Sequence, residues 1–241
     1  MPATALGEFL GTAVLLLLGN GVVANVLLTR AKGHGSGWLV ITAGWAFAVF
    51  FGVLVASALG APGELNPAAT LANVVLGTRT PGDALWHVAA QVAGAFTGAT
   101  LVWLQYLPHW RETGDPEAIR GVFCTAPAIR APLPNLLSEV IATAVLVFGA
   151  NAAVQAASAG GAPTAPVTAA LVLALVWGIG LSLGGPTGYA INTARDLGPR
   201  LAHAVLPVAN KGSSDWGYGW IPVVGPCAGA VVAALLWQSV R

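Results

Sequence analysis

Six stretches of this chain are long and apolar enough to cross a lipid bilayer, and that leaves little choice of fold. They fall at 5–28, 38–60, 84–107, 136–158, 164–184 and 219–239. A hydrocarbon core of about 30 Å takes about 20 residues of helix. Only helices and closed barrels satisfy their backbone there, and uninterrupted runs of this length predict helices. Charge is too scarce for any other setting. Only 8% of the residues are charged, against roughly 25% in a soluble domain. The expected class is therefore an all-α, multi-pass membrane protein whose first partner is the lipid bilayer. A net charge of +1 gives no reason to expect nucleic-acid binding. His34, His87, His109 and His203 are not spaced as metal ligands, nor are Cys124 and Cys227, so no metal or cofactor is expected.

The chain repeats itself. Glu8-Phe-Leu-Gly-Thr-Ala-Val-Leu-Leu in the first run matches Glu139-Val-Ile-Ala-Thr-Ala-Val-Leu-Val in the fourth. Each half holds three spans, and three is odd, so the second half enters the membrane from the opposite face. The expectation is one domain, 1–241, of two inverted repeats at about 1–108 and 135–241, joined by a polar loop. Small-xxx-small spacings at Gly7/Gly11, Gly94/Gly98 and Gly225/Gly229 allow helices to approach closely and favour a compact bundle.

Two stretches between the spans carry the chemistry. Residues 63–77 read GELNPAATLANVVLG and residues 184–200 read GGPTGYAINTARDLGPR. In each, a Gly/Pro-rich approach leads to an Asn and then to a run of helix formers too short to span. Asn66-Pro67-Ala68 has the form of a helix start, with Asn as N-cap and Pro at the first helical position. Asn192-Thr193-Ala194 has the same form with Thr for Pro. Short helices at matching places in inverted halves mark a binding or conduction site. Their N-termini would bring partial positive charge to the midplane. The approach strands would offer carbonyl oxygens, and the two Asn amides central donors. Such a lining suits neutral hydroxylic solutes and repels cations.

With these residues in view, the chain resembles the major intrinsic protein family, the aquaporins and glycerol facilitators, over essentially its whole length. The motifs that carry the resemblance are Glu8-Phe-Leu-Gly-Thr, Asn66-Pro-Ala, Ala90-Gln91 with Gly94-Ala95, Glu139 and Asn192-Thr-Ala-Arg195-Asp196. The Asp after the Arg is similar to the glycerol-conducting branch. Gly35-Ser-Gly-Trp38 and the stretch from Asp196 to Tyr218 resemble glycerol facilitators of Gram-positive bacteria. The resemblance implies an aquaporin-like fold of six transmembrane helices plus two re-entrant half-helices, assembled as a homotetramer in the cell membrane with both termini cytoplasmic. It implies a selectivity filter of Trp45, Gly180, Tyr189 and Arg195. Glu8, Glu139 and Asp196 would act as structural supports without touching solute. The implied activity is passive diffusion of glycerol, water and similar neutral solutes such as undissociated lactic acid, with no enzymatic step. Two departures stand out: Thr193 replaces the family's Pro, and Glu64 stands where relatives often carry His. A free carboxylate at Glu64 would make one vestibule more negative.

Other readings remain at this stage. A water-selective pore is one, against which Gly180 argues, because water-selective relatives typically carry His there. A proton-coupled transporter is another, for which only Glu8 and Glu139 are placed to titrate. A closed, adhesive membrane protein is a third. The connection 108–135 reads as a solvated loop. With a cytoplasmic N-terminus, only Arg79 and Arg241 fall inside, which runs against the positive-inside rule.

Overall fold

The computed structural model describes residues 3–159 and 164–240; Arg241 lies outside the described residues. The chain runs through α1 (Ala3–Leu27), α2 (Trp38–Ala58), α3 (Pro67–Val75), α4 (Pro81–Gln105), α5 (Leu107–Glu112) and α6 (Pro116–Phe123) in its first part. It continues through α7 (Pro132–Ala159), α8 (Thr164–Leu183), α9 (Thr193–Val205), α10 (Trp216–Gly219) and α11 (Ile221–Ser239). No strand occurs among the described residues. Among the described residues six helical segments are long and apolar enough to cross a membrane, so the protein is a multi-pass membrane protein. The six runs read from the sequence correspond to these spans. The starts differ by up to four residues, because Pro81 and Pro132 open their helices earlier than the apolar runs begin.

The two halves pack by the same rules. In the first, α1 lies along α4; in the second, α7 lies along α11. The short helices cross over: α3 packs on α11 of the other half, and α9 packs on α4. Glycine makes the approach possible. A Cβ on Gly98 would stand 2.8 Å from Leu16 Cβ and overlap the Ala13 carbonyl, and one on Gly225 would stand 2.6 Å from Glu139 Cβ. Both contacts are closer than side chains tolerate, so these helices meet backbone to backbone.

The connection after α4 differs from its expected form. It is not a plain solvated loop: α5 and α6 fold back onto the bundle and bury Trp110, Ile119, Val122 and Phe123. Ile119, Val122 and Phe123 follow helical spacing on one face of α6, which packs against α1. Trp110 and Phe123 meet with ring centroids 5.5 Å apart. The surrounding charge hid a short amphipathic helix. Arg195 and Arg200 are buried within α9, so neither belongs to the loop charge on which orientation would be judged.

Substituting Gly98→Leu is expected to force α4 away from α1. Overpacking of this kind costs about 1–3 kcal/mol, a fall of roughly 2–12 °C in the thermal midpoint, read by heating the detergent-solubilised protein.

Candidate functional site

The two short helices start tip to tip, and their N-cap residues hold each other. Asn66 Oδ1 accepts from the Ala68 N–H at 2.9 Å, and its amide donates to the Ile191 carbonyl at 2.8 Å. Asn192 Oδ1 accepts from Ala194 and Arg195 N–H at 2.9 and 3.1 Å, and its amide donates to the Leu65 carbonyl at 2.7 Å. Each Asn thus caps its own helix and clasps the residue before the other Asn. An amide has two N–H donors, so each keeps one for the cavity it lines. The caps work through Oδ1 and do not use residue 193. The Thr193 hydroxyl lies 3.5 Å from the Val223 carbonyl and 3.7 Å from Cys227 Sγ, too long to hold Asn192.

The strands leading into the helices are strained. Leu65 has φ 51°, Tyr189 39° and Ile191 44°, a region that a β-branched residue like Ile191 almost never occupies. Two buried carboxylates hold them there. Glu8 accepts from the backbone N–H of Gly63, Glu64 and Leu65 at 2.8, 2.9 and 2.7 Å, and from Gln91 at 2.9 Å. Glu139 accepts from Ala190 and Ile191 N–H at 3.0 and 2.9 Å and from the Thr187 hydroxyl at 2.6 Å. With the N–H groups turned toward the carboxylates, the carbonyls are what these strands can offer the cavity.

That cavity has a volume of about 320 Å³ and runs from Trp45, Tyr189 and Arg195, past Asn66 and Asn192, to Asn73, Asn151 and Thr168. At one end the Arg195 guanidinium lies over the Trp45 ring, 4.0 Å from its centroid. It makes no hydrogen bond to any described residue. Trp45 seats on Gly19, where any Cβ would overlap its ring. Of the four residues expected to form the filter, three line this cavity together. Gly180 does not: it sits against the Tyr189 phenol, and a Cβ there would be 3.0 Å from Tyr189 Cζ and Oη. The room that Gly180 leaves is filled by Tyr189. Trp38 fixes this corner, donating to the Gly180 carbonyl at 3.1 Å and meeting Tyr189 edge-on at 5.7 Å.

Asp196 is fully buried away from the cavity. It accepts from the Thr125 N–H and hydroxyl, both at 2.7 Å, and from Arg200 Nε at 2.7 Å. Arg200 in turn donates to the carbonyls of Ser214, Asp215 and Thr125. This ion pair therefore ties two loops to α9. Cys124 beside it is a free thiol, pushed up to about 12 chiefly by burial, and is unreactive at neutral pH. At the exposed rim Arg130 pairs with Asp215, which raises the arginine further.

Glu64 is not a free vestibule charge. Its carboxylate accepts from Thr70 at 2.6 Å, Asn73 at 2.7 Å, Arg79 at 3.0 Å and His87 at 3.2 Å. The sequence gives no site role to Asn73 or Asn151, counts Arg79 only as loop charge, and marks His87 only as not spaced for a metal. One signal was available: Asn151 follows Glu139 by the same twelve residues that separate Asn20 from Glu8. Ligand atoms of Glu8, Glu64 and His87 lie within 4.8 Å of one another. A metal there would have to displace Arg79 and the backbone donors, so the cluster fits a hydrogen-bond network better than a metal site.

Known proteins match this chain over nearly its whole length. Residues 3–237 match the family model described as major intrinsic protein. A probable glycerol uptake facilitator protein of Thermotoga maritima is 51% identical over 238 residues, covering 97% of each chain. Glycerol uptake facilitator protein 3 of Lactiplantibacillus plantarum is 52% identical over 233 residues, covering 97% of this chain and 95% of that one. Among solved structures, the aquaglyceroporin from Plasmodium falciparum superposes with a TM-score of 0.87 at 29% identity, covering 99% of this chain and 96% of the other.

Replacing Glu8 by Gln would leave one acceptor oxygen for donors that now share two. At least one buried N–H of residues 63–65 would lose its partner, at a cost of about 1–3 kcal/mol. The expected outcome is a lower thermal midpoint, seen in detergent, together with reduced solute flux in proteoliposomes.

Proposed function

The chain belongs to the major intrinsic protein family, and on that premise we propose that it is a passive channel for glycerol and other small neutral solutes, water included. The observation that carries this reading is the slot of Trp45, Tyr189 and Arg195. Two aromatic surfaces stand beside a guanidinium with no acceptor among the described residues. A three-carbon polyol is built to match: its carbon edge lies on the rings while its hydroxyls accept from the Arg195 fork. Beyond the slot, carbonyls of the two strands and the free N–H groups of Asn66 and Asn192 replace the water that the solute sheds. Donors and acceptors are both present along the path, as a hydroxyl requires.

Cations meet the opposite conditions. Arg195 and two half-helix N-termini raise the potential along the path, and Glu8 and Glu139 do not line it. The same arrangement speaks against proton-coupled transport. Glu8 and Glu139, the two carboxylates considered for that role, are saturated by backbone and side-chain donors.

Undissociated lactic acid, another neutral three-carbon solute, fits the same slot. The protein would work as a homotetramer in a Gram-positive bacterial cell membrane with both termini in the cytoplasm. The test is stopped-flow light scattering on proteoliposomes against water, glycerol and lactic acid at low pH. Vesicles no more permeable to glycerol than protein-free ones would overturn the reading.

Gly180→His is expected to lower glycerol permeability roughly tenfold, a barrier increase of about 1.4 kcal/mol, with water flux persisting. An imidazole cannot coexist with the Tyr189 ring in its present place and would drive it into the slot; paired glycerol and water measurements on the same vesicles check this.

Arg195→Ala removes the one cationic group over Trp45. Proton or sodium leak through the variant is expected to rise, measured as collapse of an imposed ion gradient, while glycerol still passes.

A further inference from the structure

The far end of the cavity, beyond the paired Asn residues, is mostly aliphatic. Ala72, Val147, Ala150, Val154 and Val172 form much of its wall. Two amides interrupt that wall. Asn73 lies six residues into α3 from Pro67, about 9 Å along the helix, and Asn151 lies twelve residues after Glu139, about 18 Å along α7. Both line the same cavity and both are partly exposed to it.

Their orientations follow from their partners. Asn73 Nδ2 donates to Glu64 Oε1 at 2.7 Å. A carboxylate only accepts, so the amide nitrogen must face Glu64, and its second N–H remains for the cavity. Asn151 Nδ2 donates to the Val147 carbonyl at 3.0 Å. That carbonyl also only accepts, so Asn151 presents Oδ1, to which no described residue donates. The cavity therefore meets a donor on one helix and an acceptor on another. A hydroxyl both accepts and donates, and this pair is its complement.

The Glu64 cluster explains why Asn73 stays in place. Glu64 gathers Thr70, Asn73, Arg79 and His87 around one carboxylate, with Arg79 balancing its charge. Its own backbone N–H is held by Glu8 at 2.9 Å. The orientation of Asn73 is thus tied to the strand that Glu8 braces. Asn20, the first-repeat counterpart of Asn151, is instead buried, with neither amide atom partnered among the described residues.

We propose that Asn73 and Asn151 form a second polyol-recognition station at the inner end of the cavity, with Glu64 as the positioning residue that holds Asn73. The proposal rests on the reading of this pore as a glycerol channel. A polyol that has shed most of its water needs fixed partners along an aliphatic wall for several hydroxyls at once. Water, moving as a hydrogen-bonded file, needs fewer.

The test compares glycerol and water permeability in proteoliposomes carrying the wild-type protein, Asn73→Leu, Asn151→Leu, Glu64→Gln and the Glu64→Gln/Asn73→Leu double variant. Leu keeps the side-chain bulk near that of Asn, and water flux reports that each variant is folded and open. The glycerol-to-water ratio is expected to fall at least threefold in both Leu variants and in Glu64→Gln. The double variant is expected to fall no further than Asn73→Leu alone, because Glu64 acts through Asn73. A ratio unchanged in the Leu variants, or glycerol and water falling in parallel, overturns the station. Additive losses in the double variant overturn the positioning role. Wild-type vesicles that pass water but no glycerol would instead sink the channel reading on which the proposal rests.

Discussion

Everything at the centre of this protein depends on two buried carboxylates that do not line the cavity. Glu8 and Glu139 gather the backbone N–H groups of two extended strands. They hold Leu65 and Ile191 at backbone angles that non-glycine residues avoid. Strain of this kind costs about 1–3 kcal/mol per residue. It persists because releasing it would orphan several N–H groups in a setting with no water to take them. Turning the N–H groups inward leaves the carbonyls to face the cavity. The polarity of the lining is thus decided by residues behind it.

Charge is handled in a similar way. Each half-helix start has a buried carboxylate nearby with an arginine to balance it: Asp196 with Arg200 in one half, Glu64 with Arg79 in the other. These pairs fasten loops and helices together and contribute little net field. What remains uncompensated is Arg195 and the two helix ends. A lone fixed cation on an otherwise balanced path suits neutral solutes. It leaves room for aromatic surfaces, because no counter-ion has to be accommodated beside it.

Much of this was legible in the chain. Six apolar runs set the class, and the match between the Glu8 and Glu139 segments exposed the repeat. The caps at Asn66 and Asn192 marked the half-helices, since Asn before a short helical run has a local meaning. Other features depended on distant partners and were not legible. Glu64 reads as a loose charge until Thr70, Asn73, Arg79 and His87 are seen around it. Gly180 reads as a filter position until Tyr189 is found packed against it. The 108–135 connection reads as solvated because its charges outnumber the few apolar residues that α6 places on one face.

The sequence by itself determined the membrane setting, the number of membrane-spanning helices, the duplication and the identity of the central Asn residues. Those follow from local composition, periodicity and capping chemistry, which act over a few residues. Only the tertiary structure decided which polar groups face the cavity. A side chain's partners come from other helices: Glu8 meets residues more than fifty positions later, and each Asn clasps a carbonyl in the opposite half. In a bilayer every polar group must find such a partner or a water-filled cavity. Folding therefore sorts the same residue types into braces and lining, a division that no local pattern encodes.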